Sequence, residues 1–99
     1  MKEIQLSHKG ESIDELFKNE NKILGLAAIL FGDVDFIGSG MVLGSNKRDL
    51  QFKSEVTKDS LVRFISGIKF LRIELTEISL DGKIVNNNLP AKGLSLIHI

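Results

Sequence analysis

Four groups of residues in this 99-residue chain have types and spacings that could do chemistry. The first is Gly38-Ser39-Gly40-Met41-Val42-Leu43-Gly44, which reads GxGxxxG. A dinucleotide site needs such glycines between a strand and a helix, so that the helix N-terminus faces a pyrophosphate. Here they lie inside an apolar strand pattern and run into the turn Ser45-Asn46-Lys47, so they read as glycines at a twist or bulge. The second is Asp33 and Asp35, which flank Val34 and would share one face of a strand. Two carboxylates are too few for a hard cation, and the pair reads as acids beside a turn. The third is His8, next to Lys9 and Gly10, with no acid at ligand spacing and no H-E-x-x-H neighbour. It reads as a surface-loop imidazole. The fourth is the basic run Lys47-Arg48 with Lys53 nearby. A nucleic-acid groove would add exposed aromatics for stacking. All six Phe (17, 31, 36, 52, 64 and 70) fall mostly in core patterns, so the basic run reads as a solvated face. Asp33, Asp35, Gly38, Ser39, Gly40 and His8 are thus weak ligand candidates, and Lys47, Arg48 and Lys53 a weak basic patch. No catalytic, cofactor-binding or metal-binding residue is assigned.

The elements that must position these residues follow from hydrophobic spacing. Glu3-Ile4-Gln5-Leu6 alternates, as a short strand does, and His8-Lys9-Gly10 makes a turn. Ser12-Ile13-Asp14-Glu15 matches a capping box, with Ile13, Leu16 and Phe17 on one helical face behind it. The apolar run from residue 23 to residue 31 suits either a helix or a buried strand. Asn19, Asn21 and Gly25 favour strand, with Gly32-Asp33 as the hairpin turn into a second apolar strand over 34–43. Leu50, Phe52 and Val56 alternate with polar residues in a half-exposed strand over 50–57. Thr57 to Ser60 offers a helix cap, and Leu61, Phe64, Ile65 and Ile68 follow at helical spacing, with Gly67 near the end. Leu71, Ile73 and Leu75 alternate again. Asp81-Gly82 is a two-residue hairpin signal joining Ile78-Ser79-Leu80 to Lys83-Ile84-Val85, and Asn86 to Pro90 reads as a loop.

The resulting order is β-α-β-β-β-α-β-β. It predicts an α+β, two-layer domain: a mostly antiparallel sheet of about five to six strands, with two amphipathic helices on one face. The last six residues, Leu94-Ser95-Leu96-Ile97-His98-Ile99, resemble the translation of the mosaic-end adapter used in transposase-based DNA library preparation. They are set aside as a tail. The expectation is one domain over 1–93, from a reading frame truncated in a sequencing assembly, with His98 discounted.

Composition narrows the function classes. With 13 Lys+Arg against 13 Asp+Glu the formal net charge is zero, which removes the electrostatic argument for nucleic acid or an anionic membrane. No cysteine means no disulfide, thiolate metal site or Cys nucleophile. The longest apolar run is nine residues, well short of the roughly 20 a spanning helix needs, and the N-terminus lacks a signal-peptide core. These features predict a cytoplasmic, non-catalytic protein-interaction or assembly module. Its partner is another protein or a second copy, with no cofactor and nucleic acid unfavoured. The alternative is a small-molecule-binding or catalytic domain with its pocket beside the glycine-rich strand 38–44.

Overall fold

The structure, a computed structural model, describes residues 1–41 and 44–85. The Asn86–Pro90 loop, the tail 94–99 and the end of the strand expected over 34–43 lie wholly or partly outside those residues.

Seven elements follow one another: β1 (Lys2–Lys9), α1 (Ile13–Phe31), β2 (Val34–Met41), β3 (Lys47–Ser54), α2 (Lys58–Phe70), β4 (Glu74–Leu80) and β5 (Lys83–Val85). The sheet order is β2-β3-β1-β4-β5 and every neighbouring pair is antiparallel. β1 and β2 both run antiparallel to β3, so they are parallel to each other with β3 between them. This is the split βαβ pattern of ferredoxin-like folds. α1 packs on β2 and β3, α2 packs on β4, and the helices touch, so both cover one face. The α+β class, the antiparallel sheet and the two-helix layer are as expected; the strand count is five.

The extra strand expected over residues 23–31 is instead the second half of α1. Ser12 caps this helix, its hydroxyl accepting from Glu15 N–H at 3.1 Å. The Glu15 carboxylate accepts from Glu11 N–H at 3.3 Å, one residue short of the reciprocal bond of a full capping box. Leu16, Asn19, Ile23, Ala27 and Phe31 form one buried stripe at spacings of three and four. That stripe holds the apolar run in helix, and tertiary burial outweighs the weak propensities of Asn19, Asn21 and Gly25. Gly32 therefore ends a helix (φ 88°), and Asp33 lies in a helix-to-strand connection, not a hairpin. The buried Ser54 hydroxyl donates to the Asp33 carbonyl and fastens this connection to β3.

Three boundaries also differ. β1 runs through His8 to Lys9, where a turn was expected. β3 begins at Lys47 and ends at Ser54. Gly67 lies within α2, at the crossing with α1: a Cβ there would come within 2.7 Å of Leu26 Cδ2. α2 continues to Phe70 and closes in a Schellman motif, with Arg72 N–H to Lys69 O and Ile73 N–H to Ile68 O and Arg72 left-handed at φ 62°. Leu71 and Arg72 thus belong to the helix end, and the strand starts at Glu74. At the other end of α2, Thr57 and Ser60 form a reciprocal capping box. Asp81 and Gly82 (φ 50° and 83°) make the expected two-residue turn, and Asp81 Oδ1 accepts from Glu3 N–H at 2.8 Å.

The core lies between sheet and helices. Ile4, Leu6, Leu50, Phe52 and Ile78 face Ile23, Ala27, Phe31, Leu61, Phe64, Ile65 and Ile68. Each fully buried large side chain contributes about 1.5–3 kcal/mol of transfer free energy.

Candidate functional site

Alternation along the two central strands sorts their polar residues onto opposite faces. On β3, Arg48, Leu50, Phe52 and Ser54 point toward the helices; on β1, Ile4, Leu6 and His8 do the same. Asp49, Gln51 and Lys53, with Glu3, Gln5, Ser7 and Lys9, therefore point to the face opposite α1 and α2. Each face carries one polar arrangement.

Beneath the helices, His8 is fully buried (0% exposed), and among the described residues neither ring nitrogen has a hydrogen-bonding partner. Its partner across the strands is Arg48 on β3, with Leu75 on β4 at its other side. Arg48 is held from three directions. Its Nε donates to Glu20 Oε1 at 2.8 Å, with both side chains only 12% exposed. Its Nη2 donates to Ser39 Oγ at 2.8 Å. Its guanidinium carbon sits 4.5 Å from the centroid of the Phe17 ring. One side chain thus ties α1 to β2 through β3. Burial pushes the His8 pKa below the usual imidazole value. Glu20 opposes that shift, Arg48 adds to it and Asp49 opposes it. A neutral imidazole carries one donor and one acceptor, and each costs about 1–3 kcal/mol when buried without a partner.

On the open face two rows cross the sheet in register. One runs Gly38, Gln51, Gln5, Ser79; the other runs Gly40, Asp49, Ser7, Glu77. The glycines leave no side chain at the β2 end of either row, and a Cβ at Gly38 or Gly40 would meet nothing within 4 Å. A hollow of about 540 Å³ lies there, lined by Gln5, Ser7, Ile37, Asp49, Gln51 and Glu77 among others. Ser7 Oγ donates to Asp49 Oδ1 at 2.6 Å, which fixes one acidic wall. Among the described residues no Lys or Arg lines the hollow, and the chemistry of its lining is that of hydrogen-bond acceptors and amides.

The residues singled out in the sequence are therefore divided among several places. Gly38 and Gly40 shape the hollow, beside a β-bulge between Phe36 and Gly38. Ser39 points the other way, to Arg48. Asp33 and Asp35 are exposed, and Asp35 lies opposite Lys53. Among the described residues, no three of His, Cys, Asp and Glu converge as a group that could hold a metal ion. His8 is a core residue, not a loop imidazole, because β1 carries its inward alternation one step past Leu6. Arg48 leaves the basic patch for the interior, while Lys53 faces the open side and Lys47 lies across from Lys9. Glu20 and Phe17 were not singled out as partners of Arg48. The signal that could have found the cluster is parity: His8 follows Ile4 and Leu6 by twos, and Arg48 precedes Leu50 and Phe52 by twos.

No protein-family model matches the chain, and no curated protein matches it. Among solved structures it is similar to SCO4226 from Streptomyces coelicolor A3(2). The TM-score is 0.52 at 14% sequence identity, over 78% of this chain and 91% of that one. At that identity the likeness is one of fold.

Proposed function

We propose that this domain is a non-catalytic assembly module that pairs with a second copy through the free edge of β2. The observation that carries this reading is the edge itself. Among the described residues no strand pairs with the outer side of β2, which is eight residues long. Phe36 and Ile37 at its middle are 49% and 45% exposed. Edge strands are normally shielded by lysine, proline or brevity. β2 has no Lys or Pro, and among the described residues its protective devices are the bulge and the single charge of Asp35. An unpaired edge presents backbone donors and acceptors in a row, which an extended strand satisfies. A two-fold axis near Ile37 and Gly38 would place Asp35, the only charge on β2, opposite the Ser39–Gly40 region of the other copy. In-register parallel pairing would set the two aspartates against each other, so antiparallel self-pairing suits the charge pattern.

Light scattering on the eluting chain, over a wide concentration range, tests this. The expected result is a dimer that Ile37→Lys converts to a monomer with an unchanged far-UV spectrum. A monomer at every concentration, or a dimer indifferent to Ile37→Lys, would overturn it.

The glycine-lined hollow supports a second reading, a site for a small donor-rich molecule such as an amine or a polyol. Asp49, Glu77, Gln5 and Gln51 would accept its hydrogen bonds. Gly40→Val should fill the hollow without disturbing the fold, since nothing lies in the way of the added atoms. Binding of any such probe that survived this substitution would count against the hollow.

A further inference from the structure

Among the described residues the most unusual group is the His8 imidazole, which is sealed from solvent and whose two nitrogens find no hydrogen-bonding partner there. Buried polar atoms without partners are rare and call for a reason. The reason offered by its surroundings lies in Arg48, its cross-strand neighbour.

We propose that His8 is an acid-sensitive positioning residue: its protonation breaks the hold of Arg48 on Ser39 and frees the glycine end of β2. The charges that act on the ring are few. Glu20 reaches it from α1, and Arg48 and Asp49 act on it from β3. The β4 neighbour is the apolar Leu75. Asp49 points to the opposite face, where it already accepts from Ser7. Glu20 is thus the carboxylate on the helix side, and Arg48 holds it at 2.8 Å. A cationic imidazole sets two cations against one carboxylate in a poorly hydrated space, where their repulsion is stronger than in water. Arg48 has the longer and more flexible side chain and lies nearer solvent, so it is the group that moves. Its departure removes the hydrogen bond to Ser39 Oγ. On the helix side Ser39 is the one side chain of Gly38-Ser39-Gly40, since both glycine Cβ positions belong to the open face, and its hydroxyl is the group that Arg48 holds. The stretch also follows a bulge, where the ladder to β3 is already interrupted. The inference is independent of whether β2 pairs with a second chain.

The test is an NMR titration of the full chain from about pH 8 to about pH 5, across the ordinary imidazole range near 6.5. The ring signals of His8 and the backbone amides of Gly38, Ser39 and Gly40 are followed together, with the amides of Ile4 and Ile78 as reporters of the sheet interior. The expected result is one shared midpoint, below the ordinary imidazole value, for His8 and the three β2 amides, while the interior amides stay in place. His8→Leu should abolish the movement of the β2 amides, and Arg48→Gln should leave them in the released position at every pH. A His8 titration that leaves Gly38–Gly40 unmoved would overturn the proposal. So would separate midpoints, or loss of the interior amides in the same step. If His8→Leu does not fold, the comparison of midpoints in the unsubstituted chain decides the matter alone.

Discussion

At one end of the layer between sheet and helices, Phe31, Phe52 and Phe64 meet ring to ring, with centroids 5.1–6.4 Å apart in tilted and edge-on pairs. At the other end, under the first turns of α1, the same layer holds His8, Arg48, Glu20 and the hydroxyl of Ser39. The aromatic end asks only that volume be filled, and rings at these distances satisfy it in several geometries. The polar end asks for directions. Arg48 must find a carboxylate, a hydroxyl and an aromatic face at once, and the neighbouring imidazole is left without a partner among the described residues. Bulk stability therefore concentrates at the aromatic end. Sensitivity to charge and pH concentrates at the polar end, which is also the end that reaches β2.

The largest effect should come from emptying the aromatic end. Phe64 is fully buried and touches both other rings, so Phe64→Ala should cost about 3–5 kcal/mol in urea unfolding. A loss smaller than that of any polar-end substitution would break the comparison. Next comes Arg48→Met, which keeps much of the length and removes the charge. It strands Glu20 with little solvent, and a cost of about 1.5–3 kcal/mol is expected, toward the lower figure because both groups keep some exposure. Adding Glu20→Gln should recover part of that loss, since the penalty lies in the unpaired charge more than in the missing pair. A double variant less stable than Arg48→Met alone would show that the penalty does not lie in the unpaired charge.

Much of the aromatic end was legible in the sequence, and little of the polar end was. The stripe Leu61, Phe64, Ile65, Ile68 and the alternation of Leu50 with Phe52 announce their elements because apolar residue type and inward position coincide. The turn Asp81-Gly82 announces itself through the left-handed backbone that it needs. Residues 23–31 misled because a short, wholly apolar run has no polar phase to reveal its period. The phase was set outside the run, by Leu16 and the buried Asn19, and a polar residue in the stripe concealed it. His8 and Arg48 were missed for the converse reason. The period of two extends through both, but a histidine and an arginine look like residues that end a buried strand. Position outlasted residue type at both places. The fold could therefore be read without the site, because the cluster depends on four elements, β1, α1, β2 and β3, that only the tertiary structure brings together.

A smaller effect separates the two ends by pH. Burial lowers the His8 pKa in the folded chain, so the unfolded chain binds more protons below about pH 6.5, the ordinary imidazole value. The His8 contribution is fully present above that pH and is lost as pH falls toward the lowered folded value. Its slope is at most about 1.4 kcal/mol per pH unit, the value for one proton. Urea midpoints between about pH 7.5 and about pH 5 should fall, and the His8→Leu chain should lack that part of the fall. An identical pH profile in both chains would place the sensitivity elsewhere.

The smallest effect is the most specific to the polar end. Phe17 is exposed along much of its ring, yet its face lies against the Arg48 guanidinium. A cation over an aromatic face at a site open to water is worth about 0.5–1 kcal/mol. Phe17→Leu keeps the apolar cover and removes the π face, so it should cost about that much in the natural chain and nearly nothing in the Arg48→Met chain, where no cation remains. Equal costs in both chains would make Phe17 a simple apolar cover. A cost confined to the chain with Arg48 would make the ring part of what aims the guanidinium at Glu20 and Ser39, and would extend the directional character of this end out to the surface of α1.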